Sequence, residues 1–413
     1  MLIKRTLLFI SLIGVICVFS ACNLKKNSIS TNPGISTPSA LKESNSPLTG
    51  ASSEKSTLEE GAPSGVCVIT EINGIECYDA AGNLLFALQA PKMGNTDSFG
   101  LHFAGSFDVE KEPVPVVYYS WEPEQALIIN SLGTESFLRK TNSFLAMTGA
   151  AGKAALVFSD VVYEDSSIHS YLFAGIPENL GSADPFHELT DSVTGMALMP
   201  VGISAENSQI KKIWYTHKAW NIGGADLVFP INRGLYEYDM ETGKHVQVLR
   251  SDRNFQGLSA DGNLAGSIYF DIKRDHSMRV TDLQTGHSVN FPLNPEDNRG
   301  AGFAVFSPDG KYAAWLEAGG SMISEPNNFQ TRIRIGEIAS GNVVKEEVST
   351  RIAQILKWDQ IFFMKPVGWL DSHTVLIEIR MDNKSVSSLI KFNPSLGSLE
   401  LLCNGNFAGF LYP

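Results

Sequence analysis

Three hydrophobic patterns follow one another along the 413 residues. Thr6–Val18 is a continuous apolar run. Asn23–Ser64 is dominated by Ser, Thr, Asn, Pro, Lys and Glu, and is too poor in apolar residues to offset its ordering entropy. From Gly65 to Pro413, short β-rich runs alternate with turn signals. Val66–Thr70, Val114–Tyr119, Ala155–Phe158, Ile213–Thr216 and Thr374–Ile379 are examples, and evenly spaced short strands of this kind predict an all-β body. Helical spacing is confined to Thr350–Phe362, where Ile352, Ile355 and Leu356 fit either a short lid helix or a packed loop.

Two turn types recur through the body. One is Ser-x-Asp-Gly, at Ser259–Gly262 and at Ser307–Gly310, the latter within Phe306-Ser-Pro-Asp-Gly-Lys311 and leading into Tyr312-Ala-Ala-Trp315. The other runs from an acidic or amide residue to Gly: Asp239–Gly243, Asp282–Gly286, Glu337–Gly341 and Asn393–Gly397. Gly supplies the positive φ of such hairpins, and Asp or Asn braces them through its side chain. A period of roughly 40 to 50 residues with four strands per unit denotes a propeller blade. The two turns together resemble the WD40-like repeat of TolB-type β-propellers. That resemblance is clear at about 254–293 and 302–348, partial at 195–249 and 361–403, and degenerate before that. It implies a single β-propeller and is nearly silent on function. Counting units gives seven four-stranded blades, with six or eight left open by the weak early repeats. Residues 66–89 hold only three strands, and the spare C-terminal strand Phe407–Tyr412 is expected to complete that first blade.

The leader reads differently. Lys4 and Arg5 precede the apolar run, which has the length of a signal h-region and falls short of the roughly 20 residues of a membrane span. Phe19-Ser20-Ala21-Cys22 resembles the lipobox of bacterial lipoproteins, with Phe19 where Leu is usual. The expected organisation is therefore a lipoprotein signal peptide at 1–21, lipidated Cys22 with a disordered tether at 22–64, and a propeller at 65–413. The membrane is one expected partner, reached through the lipid.

Charge narrows the other partners. The formal net charge of −12 becomes −14 once Lys4 and Arg5 leave with the leader. That disfavours nucleic acid, whose affinity comes mostly from basic surface. Three cysteines remain in the body, Cys67, Cys77 and Cys403, without the spacing of a zinc site. Asn73-Gly74 reads as a two-residue hairpin turn pairing Ile72 with Ile75. That register sets Cys67 opposite Ala80 and the two thiols on opposite faces, so buried unbridged cysteines are expected.

In a propeller, one face carries the hairpins between strands 1–2 and 3–4. The other carries the 2–3 loops and the crossings to the next blade. Here the first face receives the tight turns and the second the long segments, such as His217–Gly234, Asp271–Ser277 and Ala318–Thr331. Long connections usually carry function, which marks the second as the binding face. Its candidate residues are His217, Trp220, Arg253, Asp271, Arg274 and Arg299. Trp214 and Tyr215 either stand exposed there, suiting a glycan or protein surface, or pack between blades. The arginines, beside Asp252, Asp271, Asp275 and Asp297, suit either a carboxylate or solvent.

No nucleophile elbow, His-Glu-x-x-His, phosphate loop or EF-hand occurs, and the eight His show no close-spaced pair. No cofactor or metal is indicated. The expected function is a non-catalytic protein- or glycan-binding scaffold at the cell envelope. The alternative is an extracytoplasmic lyase or lactonase, with His217, His276, Asp271 and Arg299 as the first residues to suspect.

Overall fold

A computed structural model describes residues 61–70, 74–89, 155–176, 179, 181–191, 195–206, 209–219, 228–270, 276–293, 300–320, 329–358, 361, 363–380 and 387–411, and, as backbone, the strands between 102 and 149. Contacts divide the chain into Met1–Lys55, which with Cys22 lies outside the described residues, and Ser56–Pro413.

The turn chemistry read from the sequence is what shapes the second unit. In the Ser-x-Asp-Gly turns, Ser259 Oγ accepts the Leu264 N–H at 2.8 Å and Ser307 Oγ accepts that of Tyr312 at 2.9 Å. Asp261 and Asp309 accept the N–H two residues on, and Gly262 and Gly310 sit at φ +75° and +67°. In the second turn type, Asp239 accepts the N–H of Glu241 and Thr242, and Asp282 those of Gln284 and Thr285. These bonds hold the Asp239 and Asp282 carboxyls below the usual carboxylate range.

All strands pair antiparallel. The first sheet joins β27 (Asn406–Leu411), β1 (Gly65–Ile69), β2 (Gly74–Asp79) and β3 (Leu84–Gln89), in that order. The next holds β4 (His102–Phe103), β5 (Pro115–Trp121), β6 (Glu124–Asn130) and β7 (Glu135–Lys140). A third holds β8 (Phe144–Gly149), β9 (Leu156–Glu164), β10 (Ser167–Gly175) and β11 (His187–Asp191). A seven-stranded sheet runs through β12 (Met196–Glu206), β13 (Gln209–Ala219), β14 (Asn232–Asp239), β15 (His245–Leu258), β16 (Leu264–Tyr269), β17 (Ser277–Asp282) and β18 (Ser288–Pro292). Then come β19 (Gly300–Phe306), β20 (Tyr312–Gly319), β21 (Gln330–Glu337) and β22 (Asn342–Val348). The last sheet is β23 (Phe363–Asp371), β24 (Thr374–Arg380), β25 (Ser388–Asn393) and β26 (Ser398–Asn404).

The long strand β15 serves two neighbours. Its first half pairs with β14 through Leu249, and its second half pairs with β16 from Arg253 onward. Strands of successive groups pack on one another: β27 on β4, β4 on β8, β8 on β12, the shared strand β15 on β19, and β19 on β23. That is the radial arrangement of a β-propeller. The approach is close enough to demand glycine. A Cβ on Gly257 of β15 would lie 1.8 Å from the Ala304 carbonyl oxygen of β19. One on Gly368 of β23 would lie 2.3 Å from the Phe410 ring of β27.

Seams between sheets are filled by alternate strand positions, as period-two patterning requires. Trp315, fully buried, meets Phe291 of the preceding sheet at 5.1 Å between centroids. The helical spacing near 352 is realised as α1 (Ser349–Leu356), closed by Lys357 in the left-handed conformation. Its Ile352 and Ala353 belong to the core cluster of Ile333, Ile335 and Ile377, so α1 is a packed connection and not a lid.

The first hairpin corrects the cysteine expectation. Ile69, not Ile72, pairs with Ile75, and Cys67 faces Cys77, with which it forms a disulfide. Thr70 sets this register: its N–H donates to the Gly74 carbonyl, and its Oγ1 accepts the Gly74 N–H. A side chain bonding its own loop outweighs the Asn-Gly preference for a two-residue turn. Cys403 is free and buried, and burial pushes its thiol up to about 12.

Candidate functional site

The ends of the body differ as the repeat implies. From the seven-stranded sheet onward, the second and third strands of each group of four are joined through 220–231, 270–276, 320–329 and 381–387, at the end opposite the Asp-Gly and Asp-to-Gly turns. The third sheet departs from this. There Asp165 and Ser166, at φ 48° and 66°, join β9 to β10, and the longer stretch 176–186 joins β10 to β11.

Of the candidate residues, Trp220, Asp271, Arg274 and Arg299 lie outside the described residues. Arg253 is not on a loop. It lies within β15, buried, with its guanidinium 3.4 Å from the centroid of the Tyr269 ring. Trp214 and Tyr215 are buried too, which overturns their reading as exposed binding aromatics. Trp214 packs with Leu235, Leu249 and Phe255 and donates from Nε1 to Glu237 at 3.1 Å. His276 is half-buried where the 270–276 connection meets β17.

His217 sits on β13 with its ring stacked 4.6 Å from that of Tyr236. It belongs to a seam that no local spacing announces, because His187 of β11 and His245 of β15 meet there, their rings 4.3 Å apart. Between them stands the Tyr215 hydroxyl, 2.9 Å from His245 Nδ1 and 3.4 Å from His187 Nε2. A phenol has one proton, so Tyr215 donates to one imidazole and accepts from the other. Burial, with the other two histidines nearby, lowers His187 to about 4. Burial also lowers His245, and lowers His217 against the opposing pull of Asp191 and with the push of Arg233. In the strand register Tyr215 faces Tyr236, whereas His217 faces Arg233 across an irregularity and Tyr238 faces Ile213, so the sequence carries little signal for the seam.

These shifts fix an acid response. The unfolded chain takes up protons near the ordinary histidine value of 6.5, whereas folded His187 resists until about 4. Stability is therefore full above about pH 6.5 and falls as pH drops toward 4. Thermal unfolding at pH 7 and pH 4.5 is expected to show a fall of several degrees in midpoint. The fall should be smaller in His187→Phe, and an identical fall in the variant would remove His187 as its source.

A second grouping lies at the loop end of the first strands. Phe303 of β19 has a left-handed φ of 55°, in an interruption of the β19–β20 register. Backbone strain of this kind persists only where the surroundings impose it. Here Gln256 accepts the Phe303 N–H at 3.3 Å while donating to the Pro230 carbonyl at 3.1 Å. The Phe303 ring meets Phe229 and Phe363, with the Lys365 ammonium 5.7 Å from its centroid. Lys365 is paired with Glu378 at 3.0 Å, and Glu378 also accepts the Phe407 N–H of the last strand. Half-buried aromatic edges with a paired charge suit contact with a partner surface. Among the described residues, no group of three His, Cys, Asp or Glu is placed to hold a metal ion.

No protein-family profile matches the sequence, and no curated protein matches it. Among solved structures, the chain is similar to TolB from Acinetobacter baumannii, with 13% identity over 69% of this chain and a TM-score of 0.40. It spans only 62% of that TolB's length. It is also similar to an oligogalacturonate lyase in complex with manganese (10% identity, 83% of this chain and 85% of that one, TM-score 0.45). A third is the β-propeller domain of the Trilobed protease from Pyrococcus furiosus (11% identity, 81% and 88%, TM-score 0.47).

Proposed function

We propose that the chain is a lipid-anchored, extracytoplasmic β-propeller of seven four-stranded blades that binds a protein or glycan through its long-loop face. In this reading β15 supplies strands to two blades. β27, hydrogen-bonded to β1 from Leu411 opposite Gly65 to Asn406 opposite Ile69, completes the first blade and closes the ring.

The observation that carries the proposal is where the described residues enter the first sheet. Gly61 lies against Pro308 of the Ser307–Gly310 turn, Ala62 and Pro63 are buried, and the Ser64 N–H donates to the Leu411 carbonyl at 2.7 Å. The chain therefore enters the propeller at the tight-turn end. A tether from a lipidated Cys22 would join the body at that end and leave the loop end free to meet a partner. The Cys67–Cys77 disulfide supports export, since such bonds persist in oxidising compartments.

Two measurements test this. A clickable fatty acid is expected to label the wild-type protein in the membrane fraction, and Cys22→Ser should lose both label and membrane. A variant still pelleting with membranes would remove the anchor. A photo-crosslinking residue at Phe270, on the loop side, should give adducts on intact cells, while one at Thr242, in a tight turn, should not. Equal adducts from both, or none from either, would overturn the assignment of the face.

A further inference from the structure

The sheets end outward in β3, β7, β11, β18, β22 and β26, and among the described residues none of these pairs on its outer side. Such an edge presents free N–H and C=O groups to any extended chain, and proteins blunt it with charge, proline or a bulge. The bulge is common here. The register skips Leu85 in β3, Leu138 in β7, Val344 in β22 and Leu402 in β26.

What accompanies the bulge differs. β7 adds Glu135, Arg139 and Lys140, β22 adds Lys345, Glu346 and Glu347, and β26 adds Glu400. Of the two outer strands without a bulge, β11 carries Glu188 and Asp191, and β18 ends on Pro292. β3 reads Leu-Leu-Phe-Ala-Leu-Gln, with neither charge nor proline. Where β22 continues from its bulge as Lys345-Glu346-Glu347, β3 continues as Phe86-Ala87-Leu88.

The apolar edge is open to solvent. Leu84 is 54% exposed, Leu85 is 36% exposed, and Ala87 is exposed beside them. Leu88 is buried and Phe86 half-buried, which holds the strand on its sheet. A six-residue run without charge, Pro or Gly is the kind that pairs readily with an identical one.

Charge narrows what meets it. The chain carries a net −12, so two copies repel where ionised groups would face each other, and β3 brings none. A basic strand would find no acid on β3 to pair with. Antiparallel pairing with its own copy needs no second surface, since a two-fold axis repeats the same donors and acceptors in reverse order. We propose that β3 pairs antiparallel with β3 of a second copy of this chain, joining the two first sheets across a two-fold axis. This contact is independent of the lipid and of the loop end. Six residues a side bury less than the about 800 Å² per partner of a standard interface, so the dimer is a reversible one.

The test uses the full chain carrying Cys22→Ser, so that no lipid drives association. Sedimentation equilibrium from about 2 to about 200 µM, a range suited to a reversible contact, should show the weight-average mass rising about twofold. Over that range amide exchange at 84–89 should slow, while exchange in β22 stays unchanged. Leu85→Lys and Ala87→Lys each set a cation against the copy's strand and should weaken dimerisation about tenfold. Lysine lowers the net negative charge of the chain, so a weaker dimer reports a local effect and not a general repulsion. Both side chains are exposed, so at the lowest concentration both variants should melt with the wild type. Val344→Lys, at the equivalent bulge of β22, should leave the dimer as it was. A monomer throughout would overturn the proposal, as would a dimer that both β3 lysines leave intact or that Val344→Lys weakens equally.

Discussion

Arg334→Met is expected to destabilise the protein by about 3–5 kcal/mol, the usual cost of breaking a buried ion pair from one side. Glu317, on β20, is fully buried, and its Oε1 accepts from Arg334 NH1 at 2.6 Å. Arg334, on β21, also donates to the Pro292 carbonyl at 3.0 Å, at the end of β18 in the preceding sheet, and lies 3.6 Å from Glu346 of β22. One guanidinium therefore joins β20, β21 and β22 to a neighbouring sheet. Methionine fills similar volume but takes the guanidinium away from a buried carboxylate. A contrasting variant is Lys212→Met, which removes a pair with Glu237 that is 44% exposed on the lysine side and should cost under about 1 kcal/mol. Urea unfolding separates the two through the transition midpoint at unchanged slope. Equal midpoints for the two variants would show that Arg334 contributes no more than a surface charge.

What the sequence discloses is what its chemistry decides locally. The Ser-x-Asp-Gly and Asp-to-Gly turns are closed by their own side chains, so they are readable wherever they occur, and so is the all-β class they imply. The Asp165–Ser166 turn was missed because it reaches positive φ without glycine, which Asp and Ser signal only weakly. The histidine seam was hidden for another reason. His187, His217 and His245 come from β11, β13 and β15, and only the packing of the third sheet on the next brings them together. Arg253 reads as a loop cation in the sequence because nothing local shows that β15 continues through it.

Loss of the Cys67–Cys77 bridge should cost about 3 kcal/mol, the loop-closure entropy of a ring of about ten residues. The two cysteines are separated by 10 in sequence and are both fully buried. The expectation is sharpened by where the bridge lies. β1 is hydrogen-bonded to β2 on one side and to the C-terminal β27 on the other, so it is the strand through which the two ends of the body meet. Val66 and Val68, flanking Cys67, pack with Leu370, Leu376 and Leu389 of the last sheet. A looser β1–β2 pair therefore weakens both the β27 ladder and this seam. Cys67→Ser/Cys77→Ser should unfold at lower urea, and amide exchange should rise first at 406–411 and only later in β20 and β21. Cys403 cannot substitute in the bridge, because it packs on the face of β1 that carries Val66 and Val68, opposite Cys67. Non-reducing peptide mapping should recover Cys67 linked to Cys77. If it instead returns all three body cysteines as thiols, with the double variant as stable as the wild type, the bridge is not part of the folded protein, and the support it lends to export goes with it.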